Sequence, residues 1–255
     1  MLKQVQHDEW GETVSSIGII GSEGRMGKAL AVAVEAAGLT LAGGIGRGGN
    51  PADLAAHSDV LIDFSAPAAL SANLDAAVQA AIPIVIGTTG LAEADHAAID
   101  AAARSIPVLQ TGNTSLGVTL LAHLVREAAS KLGVEWDIEI VEMHHRMKVD
   151  APSGTAILLG EAAAQGRGID LAPNSDRGRD GHTGIRKPGN IGFAALRGGT
   201  VAGEHSVILA GEEERITLSH LAENRMIFAH GAVKAAGWLI GKAPGRYTMP
   251  QVLGL

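Results

Sequence analysis

Two adjacent histidines, an arginine and a lysine fall within His144–Lys148, in the run EMHHRMKVDAPSGTA (142–156). Histidine is the side chain best suited to give up a proton near neutral pH. These cations gather in a chain whose net charge is −7. Pro152-Ser153-Gly154-Thr155 then leads into a helical pattern, and the amides at a helix N-terminus favour an anion such as a carboxylate. Proton donor, cations and amide cradle within one short stretch suit a small, multiply anionic substrate. A shared metal ion does not suit them, because adjacent side chains on extended backbone point to opposite sides. No HExxH or comparable ligand spacing accompanies the pair. From this stretch alone, two surface histidines in a polar loop remain an alternative.

A second constellation lies far upstream. Gly21-Ser22-Glu23-Gly24-Arg25-Met26-Gly27 sits where a β-branched run, SSIGIIG, meets a helical pattern. In such a turn Gly21 permits the bend and Gly24 lets backbone amides approach a pyrophosphate. Gly27 lets the helix pack close to the sheet, its N-terminus facing the phosphates. The spacing is G-x-x-G-x-x-G rather than G-x-G-x-x-G, so the strand–turn–helix context carries the dinucleotide expectation; a bare glycine turn is the alternative. An acid at the end of the second strand would bind the ribose 2′-OH of NAD, but that region reads Gly43-Gly44-Ile45-Gly46-Arg47-Gly48-Gly49. Arg47 is its only charge, and arginine can hold a 2′-phosphate. NADPH is therefore the preferred cofactor, with NADH usable. The turns Gly87-Thr88-Thr89-Gly90 and Thr111-Gly112-Asn113-Thr114-Ser115 follow later strands, and ligands of parallel sheets bind at strand carboxyl ends.

The elements that must position these groups follow from periodicity. Residues 17–113 alternate short apolar runs (LTLAGGIG, DVLIDFS, IPIVIGTTG, IPVLQTG) with Ala-rich helical stretches at 25–37, 68–81 and 93–105. That rhythm predicts βαβ units and a Rossmann-like, doubly wound parallel sheet. Across 114–223 the rhythm changes: a helix over 116–132, the strand WDIEIVEM, a helix over 155–165, a polar loop over 166–189, then three clustered strands, IGFAALR, EHSVILA and ERITLSHLA. Clustered strands predict a C-terminal α+β domain with an open mixed sheet. The tail, 224–255, opens with a helix. Residues 1–16 are mixed polar, without the apolar core of a secretory signal, and read as a leader.

Composition narrows the function classes. Aromatics are 3% of the chain, so the core must be built from Ala, Val, Leu and Ile. With no cysteine, disulfides, thiolate nucleophiles and Cys-ligated metals are excluded. The acidic balance argues against a nucleic-acid partner. No apolar run approaches the roughly 18 residues of a spanning helix. A cytoplasmic protein without metal is the expectation.

The run from Glu139 to Ala156, EIVEMHHRMKVDAPSGTA, resembles the signature of the 4-hydroxy-tetrahydrodipicolinate (dihydrodipicolinate) reductase family. GSEGRMGKAL, DFS, VIGTTG, GNTSLGV, IGFAALRGG, VAGEHSV and NRMIFAHGAV resemble further family blocks in family order, covering about residues 17–239. The resemblance implies reduction of 4-hydroxy-tetrahydrodipicolinate by hydride from NAD(P)H, in the diaminopimelate route to lysine. It implies His144 as general acid, Lys148 assisting proton donation and holding substrate, and His145 contacting substrate. The amides and hydroxyl of Gly154 and Thr155 would bind a substrate carboxylate. Cofactor contacts are implied at Gly21–Met26 (Gly21, Ser22, Glu23, Gly24, Arg25, Met26), Arg47, Gly87, Thr88, Thr89, Thr111, Gly112, Asn113 and Thr114. The second domain, 114–223, would bind substrate and oligomerise through its sheet into a homotetramer, and the final helix of 224–255 would complete the first domain. The sequence departs from the family where many members carry an acid at Gly46, and at Thr114, where phenylalanine is common. The rival readings are another two-domain NAD(P)-dependent dehydrogenase of a small dicarboxylate or amino acid, and a nicotinamide-sensing regulator. The regulator would need a basic reading head that the sequence lacks.

Overall fold

A computed structural model describes residues 15–255. Of the leader expected over 1–16, all but the end lies outside the described residues, and Ser16 already opens the first strand. The chain divides into two compact units, one formed by the N-terminal segment through Ser115 together with Phe228–Gly254, the other by Leu116–Ile227.

The first unit begins β1 (Ser16–Ile20), α1 (Arg25–Ala36), β2 (Thr40–Ile45), α2 (Pro51–Ala55), β3 (Val60–Asp63), α3 (Leu70–Ala80), β4 (Ile84–Ile86), α4 (Glu93–Ala102) and β5 (Pro107–Gln110). Every residue of β3 and β4 is buried, as expected of strands covered on both faces by helices. α2 escapes the helical reading because it spans five residues, begins on Pro51 and is capped by Asn50. The expected helix start at 68 is a 3₁₀ turn, Pro67–Ala69, before α3 proper.

The second unit runs α5 (Leu116–Lys131), β6 (Asp137–His144), α6 (Gly154–Arg167), β7 (Ser175–Asp176), β8 (Ile191–Arg197), β9 (Glu204–Ala210) and β10 (Arg215–Leu221). Its sheet has the order β10-β9-β6-β8-β7. β6 pairs parallel to β8 and antiparallel to β9, so the sheet is mixed. Ile138 and Ile140 of β6 enter a core with Val125, Leu159, Ile191, Phe193, Val207 and Leu209. The loop expected over 166–189 needs correction in part. α6 continues to Arg167, and β7 pairs with β8. Arg186 bonds Asp137 at 2.7 Å and Glu139 at 2.8 Å, and Arg179 reaches Glu139 at 2.9 Å. Alternating charge across a long connection left no local signal for those pairs.

The chain then returns through α7 (Met226–Leu239), β11 (Gly245–Tyr247) and α8 (Met249–Val252). β11 adds parallel to β5, giving the all-parallel order β11-β5-β4-β3-β1-β2. A doubly wound, Rossmann-like sheet thus forms one unit and a mixed α+β sheet the other. Because the strands of the first sheet are parallel, the connections after β1 to β5 leave from one edge.

Candidate active site

At that edge the turn after β1 is tightly built. Gly21 has φ +87°, a left-handed conformation that favours glycine. A side chain at Gly27 would run into the Gly21 carbonyl and the Ser22 backbone. The amides of Gly21 and Ser22 donate to the Ile45 carbonyl at 2.8 and 3.0 Å, tying the turn to the end of β2. Gly24 is the N-cap of α1. The first-turn amides of a helix, here including Arg25 and Met26, have no carbonyl one turn back. A cavity of about 900 Å³ opens here, its wall including Gly21, Glu23, Gly24, Gly46, Arg47 and Ser65. Bare glycine backbone, a helix start and an arginine fit a dinucleotide. A side chain at Gly46 would collide with the Glu23 carboxylate, so an acid stands at the end of β2 after all, supplied by the glycine turn.

Asp63, fully buried at the end of β3, organises the neighbouring wall. It accepts from the Ser65 amide at 2.9 Å, the Ser65 hydroxyl at 2.6 Å, Asn73 Nδ2 at 3.0 Å and Thr88 Oγ1 at 3.3 Å. The Gly87–Thr89 turn is thereby joined to the cavity wall without lining it. In the next turn the Thr111 hydroxyl donates to the Asn113 carbonyl and accepts from the Asn113 amide. Thr114 is buried, its hydroxyl donating to the Phe228 carbonyl at 2.7 Å.

The histidine run ends β6 and leads to α6. Burial alternates along β6, putting Ile138, Ile140, Glu142 and His144 on one face, as the two-residue period of a strand requires. His144 Nδ1 lies 2.6 Å from Glu142 Oε2. Glu142, with a side chain 1% exposed, also takes two bonds from Arg197, at 2.8 and 2.9 Å, and one from the Ser153 amide at 3.1 Å. Burial raises the Glu142 pKa, but the bonds from Arg197 and His144 outweigh it and hold the carboxyl below its ordinary value. Ser153 is the N-cap of α6, accepting from the Ala156 amide at 3.2 Å. Its Oγ lies 3.0 Å from Nε2 of His205 on β9. The rings of His144 and His205 meet edge to face, 5.1 Å apart. Burial, then the neighbouring His144, pushes His205 down to about 4.

His145, on the other side of the chain from His144, has its Nε2 3.3 Å from Arg225 Nη2. Lys148 pairs with Asp150 at 2.9 Å, and that bond holds the Asp150 carboxyl below its usual range. Gly154 and Thr155 are the first residues of α6. His144, Gly154 and Thr155 thus come together through Glu142 and Ser153. Sequence reasoning passed over Glu142, Arg197, His205 and Asp63; the signal available for Glu142 was its two-residue spacing from His144 on a strand.

Buried histidine, helix start and glycine turn occur in a chain with close relatives of known name. A family model for the N-terminus of dihydrodipicolinate reductase matches residues 15–114, and one for its C-terminus matches 117–253. A 4-hydroxy-tetrahydrodipicolinate reductase of Zymomonas mobilis is 57% identical over 96% of this chain and 99% of the relative. One of Rhodopseudomonas palustris is 53% identical over 93% of this chain and 96% of the relative. The fold is shared with a dipicolinate-bound dihydrodipicolinate reductase from Paenisporosarcina sp. TG-14, with TM-score 0.73 and 20% identity over 92% of this chain and 98% of that one. Both units are matched almost end to end, and the chain belongs to the dihydrodipicolinate reductase family.

Proposed function

We propose that this chain reduces 4-hydroxy-tetrahydrodipicolinate to tetrahydrodipicolinate with NAD(P)H, in the diaminopimelate route to lysine. The observation that carries this reading is His144, bonded to a buried carboxylate that also holds the Ser153 start of α6. A proton donor and an anion cradle are thereby fixed to one another. When bound, the dinucleotide supplies the hydride. As charge develops on the substrate ring, His144 gives the compensating proton. Lys148, His145 and the Gly154–Thr155 start of α6 hold the carboxylates, and positioning of this kind can supply several kcal/mol of barrier lowering. The dinucleotide would be held by Gly21–Met26 and Arg47, with the Gly87–Thr89 and Thr111–Thr114 turns toward the nicotinamide.

The test is to supply the product of dihydrodipicolinate synthase with NADPH and follow loss of nicotinamide absorbance. No loss above a protein-free control would sink the reading. Lys148→Ala is expected to raise KM and lower kcat, about tenfold each, since a charge-assisted contact is worth about 1.5–3 kcal/mol. A change in neither would remove Lys148 from the site.

Two groups at the end of β2 pull on cofactor choice in opposite directions. Arg47 suits a 2′-phosphate, whereas the Glu23 carboxylate above Gly46 suits a free ribose diol and repels phosphate. Arg47→Ala is expected to weaken NADPH roughly 10-fold or more and NADH little, while Glu23→Gln tightens NADPH several-fold. Calorimetric titration of both dinucleotides reads this directly, and equal effects on the two would refute the assignment.

Among the described residues no helix is long and apolar enough to cross a membrane, and we place the enzyme in the cytoplasm. A homotetramer is part of the same reading. Its support is the second sheet's face opposite the helices, where Val141 and Met143 register with the exposed Ala194 and Leu196.

A further inference from the structure

We propose that Glu142, clamped by Arg197, is a positioning residue that supplies the counter-charge for the His144 ring, with Nε2 as the nitrogen that gives up the proton. The proposal rests on the reading of His144 as general acid. Glu142 takes four donors on two oxygens: His144 Nδ1 and Arg197 Nη1 on Oε2, Arg197 Nη2 and the Ser153 amide on Oε1. An ionised carboxylate only accepts, so Nδ1 of His144 must carry its hydrogen in every state of the ring. The proton that comes and goes is then the one on Nε2.

The other side of the ring fits that role. Gly203 lies against it, and a Cβ there would stand 3.0 Å from His144 Nε2. Glycine leaves that nitrogen room; a side chain would cover it.

The charges around His144 come from every strand beside it. Glu142 stands on β6 itself, Arg197 on β8 and His205 on β9, while Lys148 and Asp150 occupy the connection to α6. Lys148 is already paired with Asp150. Arg197 and the N-terminal end of α6 both disfavour a second positive charge. Glu142 is the counterweight, its carboxylate bonded to the ring itself. Arg197 in turn is tied to the Asp150 carbonyl, so the clamp spans β6, β8 and the substrate-side loop.

The experiment follows the His144 ring by NMR across pH in the full-length chain, beside kcat against pH. Glu142→Gln preserves shape and removes charge. It is expected to lower the His144 titration midpoint, to move the alkaline limb of kcat with it, and to cut kcat 10–100-fold. NADPH affinity should not change. Arg197→Gln removes the opposing cation and is expected to move the His144 midpoint upward. A purely structural role predicts no such opposed movement. If both midpoints stay at the wild-type value, or move the same way, the proposal is overturned. Should Glu142→Gln fail to fold, Arg197→Gln decides alone, an unmoved or lowered midpoint being fatal. Failure of the reductase reading looks different, as a wild-type chain without turnover, and leaves the NMR titration still able to decide this point.

Discussion

Replacing His144 with alanine is expected to cut kcat roughly 10²–10⁴-fold, the range for a lost general acid. Dinucleotide affinity should remain near wild type, because the glycine turn and Arg47 belong to the other compact unit. The alanine variant also leaves one oxygen of a buried carboxylate short of a partner, since His144 Nδ1 donates to Glu142 Oε2. A lost partner of that kind costs about 1–3 kcal/mol of stability. His144→Gln separates the two effects. Its amide can still donate to Glu142, so stability should largely return, while no proton near neutral pH is available and kcat should stay as low. Steady-state kinetics with calorimetric binding of NADPH measure both. An unchanged kcat in either variant removes His144 from the chemistry.

The candidate site was legible in the sequence wherever chemistry is written in consecutive residues. His144, Ser153 and Gly154 sit in one run, and the strand-to-helix connection brings them together through Glu142; Lys148, in the same run, pairs with Asp150. What escaped is the part assembled by register. Arg197 lies opposite His144 on β8 and His205 opposite Glu142 on β9, and no spacing along the chain announces a pairing across more than fifty residues. Gly46 shows the same limit in another form. Read along the chain, the end of β2 lacks an acid; folded, Glu23 fills that place from the preceding turn. Thr114 reads as a polar turn residue, yet its hydroxyl is spent on the Phe228 carbonyl.

The fold was legible for the elements that bury a continuous apolar run. β1, β3 and β4, nearly or wholly inside, declare themselves by β-branched residues without alternation. α6 declares itself by Ser153 at the cap and ends on Gly168 with φ +66°. The elements missed are short: α2 of five residues, β7 of two, β11 of three and α8 of four. They are held by neighbours rather than by their own pattern; β11 exists because β5 offers a free edge to Gly245–Tyr247.

His205 should make the second unit sensitive to acid before any carboxylate does. Its side chain is buried, its Nδ1 finds no hydrogen-bond partner among the described residues, and burial followed by the neighbouring His144 pushes it down to about 4. In the unfolded chain the same group titrates near 6.5. Between those values the unfolded state binds a proton that the folded state refuses, so stability rises with pH across that window and falls as pH drops through it. The full displacement corresponds to about 3 kcal/mol, of which roughly 2 kcal/mol is gone by pH 5. His220, also lowered by burial, adds in the same direction. Glu139, Glu142 and Asp150 are held below their ordinary values, so they stay ionised in this window and contribute only at lower pH. The expected result is a thermal midpoint several degrees lower at pH 5 than at pH 7.5 for the ligand-free chain. His205→Gln, which can still bond Ser153 but cannot take the proton, should lose most of that difference. If the variant and the wild type fall in parallel, the acid sensitivity lies elsewhere and His205 is not the buried group that must charge.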